Sequence, residues 1–541
     1  MGKNKLELTW IGKDKRPKLE PRILLEDPEL SYHAKHRVSD CDIFDNKLIY
    51  GDNLLALKAL EQQYTNKVKC VFIDPPYNTG NAFAQYDDGV EHSIWLSLMR
   101  DRLQIIRGLL NDQGTLWITI DDNEVHYLKI LCDEIFGRNN FVTSITWAKR
   151  VSPANDAKFF SSDHDYVLVY AKKKENWTLN RLPRSESNNS SYKNPDNDPR
   201  GPWNSVTYTG NKTRDERPNL YYPIVNPNNG EEVFPSKTLT WRYGLETHRK
   251  NEEASLLYWG KDGKSKSPRL KKFLSEAAPV VPRTIWHYSE VGSTQSAMTE
   301  QKKMFDSPFA TPKPEELLER ILHIATVRGD LVLDSFAGSG STAATAHKMG
   351  RKWITIELEK TCQTHIIPRL QRVINGEDQG GISKSINWQG GGGFRYYKLA
   401  PSLIEYDRFG QPIINKEFNA EMLAEALCKL EGFTYSPSDS LWWQHGFSTE
   451  TDFIYVTTQN LSVDQLEKIS EEVGSDKTLL VMCGAFRCKA DRFVNLTIKK
   501  LPKAVLRHCE WAHDDYSLNV QNLPMAQEDN EQQDPEQSDL F

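Results

Sequence analysis

The stretch of this chain best suited to chemistry is a short apolar strand that runs into an acidic, proline-rich loop. Val68–Ile73 is mostly apolar and rich in β-branched residues, which is typical of a strand buried on both faces. It ends at Asp74, Pro75, Pro76 and Tyr77. The two prolines lack backbone donors and stiffen the loop. A carboxylate, free carbonyls and an aromatic ring are therefore presented together where open α/β sheets bind ligands.

This group of side chains suits a flat ring that carries an amino group. The Asp74 carboxylate can accept one hydrogen bond from the amine, and the Pro75 carbonyl can accept the other. Tyr77 can stack on the face of the ring. An ordinary proline turn at the end of a strand is the alternative interpretation at this point.

A second ligand-binding pattern lies between a predicted strand at 330–336 and a predicted helix at 343–349. Gly338 and Gly340 allow the backbone to approach a ligand closely at the N-terminus of that helix. Glu357 ends the next predicted strand, where its carboxylate is placed to accept hydrogen bonds from a ribose. The pattern therefore predicts a second nucleoside-binding site.

This glycine loop has two rival interpretations. With Ala343 it also fits the Gly-x-Gly-x-x-Ala pattern of dinucleotide-binding proteins, so nicotinamide binding remains an alternative. A phosphate-binding P-loop is excluded, because no Lys stands between Gly340 and Ser341.

The elements around the two loops predict one α/β sheet. A strand at 47–50 and a helix at 54–64 precede the first loop, which places Asp52 and Asp74 at strand ends that a parallel crossover brings close together. The periodicity predicts the remaining elements as a helix at 93–110, a strand at 114–120, a helix at 124–136, an antiparallel hairpin of 144–149 and 165–172 at the sheet edge, a helix within 307–328, and a strand at 353–356.

The C-terminal third has a pattern of its own. Gly390–Gly393 is a run of four glycines, which predicts a hinge. The elements predicted after it are a helix at 420–430, strands at 454–457 and 479–483, and a helix at 463–473 between those strands. This order predicts a small α/β domain.

Composition limits the classes of protein that remain. A chain of 541 residues is long enough for about two to four domains. Its eight cysteines include no Cys-x-x-Cys pair and its 13 histidines form no ligand-spaced group, so reduced thiols and no metal site are expected. No apolar run reaches the ~20 residues that span a bilayer, and no secretory signal follows Met1. A cytoplasmic protein without membrane association is expected.

The net charge of −6 hides an uneven distribution. Residues 142–310 contain 26 Lys and Arg against 19 Asp and Glu, whereas residues 526–541 contain six acids and no base. Basic residues of the middle segment alternate with aromatic ones, namely Trp203, Tyr208, Tyr221, Tyr222, Trp241, Tyr243, Trp259 and Trp286. Two interpretations remain open for this segment: a reader of nucleic acid, or a loop-rich structural excursion.

The two loops together resemble those of the DNA amino-methyltransferases that use S-adenosylmethionine. The matching segments are Asp-Pro-Pro-Tyr at 74–77 and the loop at 334–340. Their order is that of the family's beta group, and Thr-Pro-Lys-Pro at 311–314 fits the segment before its cofactor strand. The run from Asp74 to Gly80 most resembles the modification (Mod) subunits of type III restriction–modification systems. One departure is Ser335, where the family often has Pro.

The resemblance implies a role for each site residue. The catalytic residues would be Asp74, Pro75, Pro76 and Tyr77. Glu357 would bind the ribose hydroxyls, Asp52 would lie near the adenine or methionine end of the cofactor, and Lys313 would help to close its pocket. The complete set implied to bind S-adenosylmethionine is Asp52, Lys313, Asp334, Phe336, Ala337, Gly338, Gly340, Thr342 and Glu357.

The fold implied is a Rossmann-like methyltransferase: an α/β protein with a doubly wound sheet, an inserted target-recognition domain and a small C-terminal α/β domain. The boundaries expected are an N-terminal arm at 1–45, the catalytic half of the core at 46–174, the insert at 175–304, the cofactor half at 305–389, the C-terminal domain at 394–525 and an acidic disordered tail at 526–541.

The activity implied is transfer of a methyl group to the N6 amine of an adenine flipped out of double-stranded DNA. Asp74 at the first loop position favours adenine over the N4 amine of cytosine, and the absence of a Pro-Cys pair disfavours methylation of cytosine carbon 5. A type III Mod subunit is expected. The alternatives are a solitary or type II amino-methyltransferase, a subunit that chiefly reads DNA for a helicase–nuclease, and an NAD-linked oxidoreductase.

The partners implied are double-stranded DNA, a second copy of the chain in a homodimer, and a Res helicase–nuclease subunit, in the cytoplasm and nucleoid of a bacterium. Gln537–Phe541 also resembles the short peptides by which bacterial repair and replication proteins bind the sliding clamp. A disordered solubilising tail is the alternative for that segment.

Overall fold

The computed structural model describes residues 7–40, 42–78, 88–489 and 491–517. One compact unit contains the described residues up to Asn180 and from Arg283 onward, and a second unit is Arg181–Pro282. The predictions made for Thr79 and Gly80, and for the tail at 526–541 with its terminal peptide, lie outside the described residues. Among the residues described, no helix has the length and apolar character needed to cross a membrane.

A sheet of eleven strands forms the centre of the larger unit. Tyr32–His33 pairs with Gly393–Leu399 at one side of this sheet. The other strands follow one another in the order Leu24–Glu26, Gly393–Leu399, Asn46–Tyr50, Lys352–Glu357, Leu331–Asp334, Val68–Ile73, Leu110–Ile120, His164–Ala171, Phe141–Ala148 and Ile285–His287.

The middle of this sheet is parallel, from Asn46–Tyr50 across to Leu110–Ile120. Leu331–Asp334 and Val68–Ile73 are neighbours, and the strands that follow each of them along the chain lie on opposite sides. The predicted α/β class with a doubly wound sheet is confirmed by this reversal of strand order. Such a reversal opens a crevice for a ligand beyond the carboxyl ends of the strands.

Two strands from the later part of the sequence lie between the strands that end before Asp52 and Asp74. The strands before Asp52 and Asp74 have Lys352–Glu357 and Leu331–Asp334 between them. Three inter-strand spacings amount to roughly 14 Å. The prediction that a crossover brings these ends close together is therefore wrong, because strands distant in sequence occupy the intervening positions.

The antiparallel hairpin is present but does not form the sheet edge. Phe141–Ala148 and His164–Ala171 pair as predicted. Ile285–His287 then adds in parallel to the outer side of Phe141–Ala148. A strand of three residues has too little periodicity to be recognised in the sequence, so the edge position was predicted wrongly.

Amphipathic helices pack beside these strands. Glu315–Ala325 is an example, because it buries Leu317, Leu318 and Ile321 along one face. The other helices of this unit are Asn53–Tyr64, Asp88–Leu109, Val125–Cys132, Tyr288–Val291, Thr294–Met304, Ser341–Lys348, Ile367–Ile374, Ala420–Glu431 and Val463–Val473.

The unit Arg181–Pro282 consists of short strands and two short helices. The helices are Glu186–Asn189 and Leu245–Glu253. The strands are Trp203–Thr207, Thr209–Gly210, Ile224–Val225, Glu232–Val233, Thr240–Trp241, Leu257–Tyr258 and Arg269–Phe273.

Most of the aromatic residues singled out in the sequence of this unit form its core. Tyr208, Trp241 and Trp259 pack with Ile224 and Leu270 in one buried cluster, and Trp203 is also buried. A small unit with short strands has few other large apolar side chains, so its aromatic residues supply the buried area. The structural interpretation is therefore correct for these side chains.

The C-terminal part contains a second, five-stranded sheet. Its order is Thr434–Tyr435, Gly446–Phe447, Asp452–Val456, Thr478–Cys483 and Leu496–Lys500. Two shorter pairs accompany it, Ile404–Tyr406 with Pro412–Ile414 and Asn460–Leu461 with Ala485–Phe486. The α/β character predicted for this region is present, although Gly393–Leu399, at its expected beginning, belongs to the large sheet.

The glycine run before that strand is packed and is not a hinge. Gly390 is buried and has a φ of 90°. A Cβ atom at this position would lie 2.7 Å from the carbonyl oxygen of Ile374. Glycine is required here because the backbone itself is the neighbour.

The described part of the N-terminal arm packs on the larger unit. Trp10 and Leu19 contact its main core. Two basic residues of the arm are paired there, since Lys13 Nζ lies 3.0 Å from Glu134 Oε2 and Arg16 Nη1 lies 3.3 Å from Asp101 Oδ1. These side chains attach the arm to the core.

Candidate active site

A cleft of about 540 Å³ lies at the reversal point of the large sheet. Its walls come from the loops that follow Val68–Ile73 and Leu331–Asp334, so the two predicted loops share one cavity. The predicted site residues that line it are Asp52, Asp74, Pro75, Pro76, Tyr77, Lys313, Asp334, Phe336, Ala337, Gly338, Thr342 and Glu357. A cavity of this size is suitable for a nucleoside-sized ligand.

Both carboxylate oxygens of Asp74 have partners from other elements. Thr119 Oγ1, near the end of Leu110–Ile120, donates to Asp74 Oδ1 at 2.5 Å. Lys313 Nζ lies 2.5 Å from Asp74 Oδ2. Lys313, predicted as a cofactor residue, therefore contacts the predicted catalytic carboxylate directly.

The ring of Tyr77 is held at both its hydroxyl and its face. Its hydroxyl donates to Asp165 Oδ2 at 3.3 Å, and Asp165 Oδ1 pairs with Lys149 Nζ at 2.5 Å. The Lys313 ammonium lies 5.2 Å from the centre of the ring. Burial raises the pKa of the Tyr77 phenol well above its ordinary value, so the hydroxyl remains a donor.

The two prolines present their carbonyls differently. The Pro76 carbonyl accepts a bond of 2.8 Å from Trp95 Nε1, which ties the loop to the helix Asp88–Leu109. No hydrogen bond reaches the Pro75 carbonyl from the part of the chain that the structure describes. Pro75 thus retains the acceptor capacity that the amine-binding prediction requires.

Asn78, the residue after Tyr77, is held in place by a buried side chain. Asn78 adopts a φ of 53°, and its Nδ2 donates to Glu124 Oε1 at 2.7 Å. Glu124 is fully buried and also contacts His92 Nδ1 at 2.6 Å. The Asp74 loop is therefore fixed at its C-terminal side by a buried carboxylate.

The two glycines of the second loop serve different purposes. Gly338 has a φ of 53°, lines the cleft, and donates its N–H to Glu357 Oε2 at 2.7 Å. Gly340 has a φ of 74° and precedes the helix Ser341–Lys348, outside the cleft lining. A Cβ at Gly340 would lie 3.1 Å from Ile366, so this glycine shapes the turn.

Two acids beside this loop, one buried and one half-buried, have raised pKa values. Burial raises the pKa of Asp334 to about 7, with smaller contributions from the charges of Asp74 and Glu357. Burial also raises the pKa of Glu357. Asp334 Oδ1 accepts the N–H of Phe336 at 2.9 Å, which supports the loop.

The Asp52 carboxylate binds mainly to other groups of the protein. Its Oδ1 caps the helix Asn53–Tyr64 by accepting from the N–H groups of Leu54 and Leu55. Its Oδ2 accepts the N–H of Tyr516 at 2.9 Å and lies 3.5 Å from Arg102. Asp52 therefore shapes the cleft wall by holding the helix start, the Arg102 side chain and the last described residues together.

The residues present fit S-adenosylmethionine, the cofactor implied by the resemblance. Carboxylates of Glu357 and Asp334 provide acceptors, and Phe336 provides an apolar wall. Ser335 Oγ is buried in the cleft lining and has no hydrogen-bond partner among the described residues. An orphaned hydroxyl of this kind is expected where a ligand completes the hydrogen bonding.

Several residues of the site were not predicted from the sequence. Thr119 and Asp165 hold Asp74 and Tyr77. Phe309 lies over Gly338, where an added Cβ would be 3.0 Å from its ring. Thr119 had one recognisable signal, a hydroxyl near the end of an otherwise apolar strand. Asp165 and Phe309 had none, because only the folded chain brings them to the cleft.

Comparison with known proteins supports this arrangement. The model of the DNA methylase family, for N6 and N4 amino-methyltransferases, matches residues 68–367. The chain is 32% identical to the probable type III HindVI Mod subunit of Haemophilus influenzae, covering 68% of this chain and 55% of that protein. It is 31% identical to the EcoPI Mod subunit of Escherichia phage P1, covering 69% of this chain and 65% of that protein.

A type II enzyme is also similar. The chain is 31% identical to the methyltransferase M.KpnI of Klebsiella pneumoniae, covering 60% of this chain and 81% of that protein. The chain thus spans only 55% to 65% of the Mod subunits named above. The family match includes both loops of the cleft and more than half of the residues, so this protein belongs to the DNA methylase family.

Proposed function

We propose that this protein transfers a methyl group from S-adenosylmethionine to the N6 amine of an adenine flipped out of double-stranded DNA. The observation that carries the proposal is the shared cleft, in which the Asp74 carboxylate and the Gly338 turn form neighbouring walls. An NAD-linked oxidoreductase would leave the Asp74 loop without a function.

The mechanism follows from the positions of the chain's own groups. Asp74 and the Pro75 carbonyl accept hydrogen bonds from the two protons of the amine, which localises its lone pair on nitrogen. Tyr77 stacks on the base, and its bond to Asp165 keeps the ring in place. When bound, S-adenosylmethionine supplies an electrophilic methyl group. The contribution of the protein is positioning and a prearranged electrostatic environment.

The other wall of the cleft is suited to hold the cofactor. Glu357 is fixed by the Gly338 N–H and retains lone pairs for ribose hydroxyls. Phe336 contributes an apolar surface, and the rigid turn at Gly338 lets the backbone come close. Thr342 and Ala337 complete this wall.

Asp74→Ala tests the catalytic assignment. Methyl transfer from tritiated S-adenosylmethionine to unmethylated DNA should be lost, whereas cofactor affinity measured by calorimetry should stay near the wild-type value. Asp122→Ala, which removes an exposed carboxylate outside the cleft lining, is the control and should remain active. Retained activity in Asp74→Ala would disprove the mechanism.

The base and the recognition motif are tested together by long-read sequencing of DNA from cells that express this chain. N6-methyladenine within one defined motif is expected. Detection of N4-methylcytosine would show that cytosine is the substrate. Unmodified DNA would disprove the proposal. A solitary or type II enzyme is distinguished by the absence of a co-purifying helicase–nuclease.

The partners belong to the same proposal. The similarity to type III Mod subunits supports a Res helicase–nuclease partner. A homodimer on DNA in the bacterial nucleoid is part of the same proposal and rests on the sequence resemblance alone. The unit Arg181–Pro282 is proposed to recognise the target sequence. The sliding-clamp peptide Gln537–Phe541 lies outside the described residues, and equal affinity for the clamp with and without it would exclude that contact.

A further inference from the structure

Lys313 occupies the place that the proposed function reserves for the target base. Its ammonium meets Asp74 Oδ2 at 2.5 Å and lies 5.2 Å from the centre of the Tyr77 ring. A base with an amino group would need the same two features, a carboxylate acceptor and an aromatic face. One cation therefore satisfies both halves of the base site at once.

The backbone around this lysine is fixed while its side chain is long and flexible. Pro312 and Pro314 flank Lys313 and are buried, and Pro314 precedes the helix Glu315–Ala325. Two prolines restrict the backbone of the segment between them. The ammonium is carried on a four-carbon stem, so the side chain can leave Asp74 without movement of the loop.

Only one oxygen of Asp74 can be released for an incoming amine. Thr119 is fully buried on its strand and holds Oδ1 at 2.5 Å. Lys313 is 9% exposed and holds Oδ2. The buried hydroxyl cannot withdraw from the strand, so an amine that enters at Oδ2 in the place of the ammonium displaces the lysine.

We propose that Lys313 is a positioning residue that fills the target-base pocket and keeps Asp74 paired until a base bearing an amino group displaces it. The inference rests on the proposed function. An adenine replaces both contacts of the ammonium, because it brings donors for Asp74 and a face for Tyr77. A thymine presents a carbonyl to Asp74 and leaves the carboxylate without its donor. Because either base must displace the lysine, the competition lowers the affinity for both, and the preference for adenine comes from Asp74.

The test uses the full-length protein after long-read sequencing has identified the wild-type motif. A duplex carries 2-aminopurine next to the target adenine, so that its fluorescence rises when the adenine leaves the stack, and S-adenosylhomocysteine fills the cofactor site. Lys313→Met keeps the length of the side chain without its charge. Half-maximal fluorescence should require about tenfold less of this variant than of wild type, as expected when one charge-assisted hydrogen bond no longer competes. Lys313→Arg, which keeps the charge, should resemble wild type.

A competition experiment separates specificity from affinity. Unlabelled duplexes with adenine or thymine at the target position compete with the fluorescent duplex. Wild type should prefer adenine, and Lys313→Met should keep that preference while it binds both duplexes more tightly, because Asp74 still accepts the amine. Unchanged fluorescence, together with unchanged affinity for both duplexes, would overturn the proposal.

Two further measurements make a negative result interpretable. Thermal unfolding and cofactor affinity report whether Lys313→Met folds, and Lys313→Gln replaces it if it does not. Lost cofactor affinity without a change in fluorescence would assign Lys313 to the cofactor pocket and overturn the proposal. Failure of the proposed function is recognised earlier, because wild type would then yield no methylated motif.

Discussion

Asp74 is held by two neighbours that differ in mobility. Thr119 is a fully buried strand residue, whereas Lys313 reaches the carboxylate through a flexible stem. The threonine therefore sets the orientation of the carboxylate. A reaction whose rate depends on alignment is sensitive to such a contact.

Thr119→Val removes the donor to Asp74 Oδ1 and keeps the shape of the side chain. We expect kcat for methyl transfer to fall about tenfold, the effect of losing one hydrogen bond to a charged group, while the KM for S-adenosylmethionine is unchanged. Steady-state assays with tritiated cofactor measure both. Thr143→Val, on the strand Phe141–Ala148 outside the cleft lining, is the control. A normal kcat in Thr119→Val would show that Asp74 is oriented by other contacts.

The raised pKa of Asp334, about 7, makes stability depend on pH. Because the folded protein binds this proton more tightly than the unfolded chain, the stabilisation is complete below pH ~4 and is lost as the pH rises through ~7. Asp334→Asn resembles the protonated acid and has no proton to lose. Its stability relative to wild type should therefore increase from pH 5 to pH 8, by on the order of 2–4 kcal/mol.

Scanning calorimetry at both pH values measures this difference. Asp27→Asn is a control in which the pKa shift has the opposite direction, since the contact with Lys398 lowers the pKa of Asp27. Its stability relative to wild type should not increase with pH. A difference between Asp334→Asn and wild type that is the same at pH 5 and pH 8 would contradict the burial effect on Asp334.

The two loops of the cleft are held in position by neighbouring helices and strands. The loop at Asp74 is tied to one helix through Trp95 and to another through Glu124, and the loop at Gly338 is tied to the next strand through Glu357. Each loop is thus fixed by the element that packs beside it. The glycine run before Gly393–Leu399 is fixed in the same way, by close backbone contact.

Gly390→Ala should destabilise the protein by about 1–3 kcal/mol. The new Cβ would lie 2.7 Å from the Ile374 carbonyl, at a φ of 90° that side chains rarely adopt. Gly108→Ala is the matched control, because a Cβ there meets no atom within 4 Å and Gly108 lies within the helix Asp88–Leu109. It should stabilise by about 0.5–1 kcal/mol. Urea unfolding distinguishes the two, and equal stability of both variants would restore the hinge interpretation.

A buried ionic network links distant segments of the larger unit. Lys348 has no exposed side-chain surface and lies 2.7 Å from both Glu315 and Asp378. Arg369 pairs with Glu315 at 2.8 Å and with Glu300 at 3.2 Å. These contacts join four helices to the segment before Gly390 and neutralise a group of acids that would otherwise repel one another.

Lys348→Met should destabilise the protein by about 3–5 kcal/mol, because it leaves buried carboxylates without their cation. Lys398→Met removes a cation of comparable pairing, 2.7 Å from Asp27, but its side chain is 45% exposed. That control should cost less than about 1 kcal/mol. Chemical denaturation measures both, and a small effect for Lys348→Met would show that the network is not needed for stability.

Much of the fold was predictable because it depends on local patterns. Buried strands such as Val68–Ile73 and helices such as Val463–Val473 have periodicities that neighbouring residues alone determine. The Asp74 and Gly338 loops were predictable for a similar reason, since each chemistry-bearing group lies within a few residues of the strand that presents it. The family resemblance rests on these same short segments.

Contacts between distant segments were not predictable in this way. Residues near one another in the chain carry no signal that Lys352–Glu357 enters between two earlier strands, or that Lys313 reaches Asp74. The roles of the aromatic residues of the insert were also not predictable, because the local sequence does not distinguish a buried Trp from a Trp that contacts DNA. The amino-acid sequence alone determined which groups are available at each strand end. The folded structure decided which of these groups contact one another, because long-range packing selects the hydrogen-bond partner of each buried polar atom.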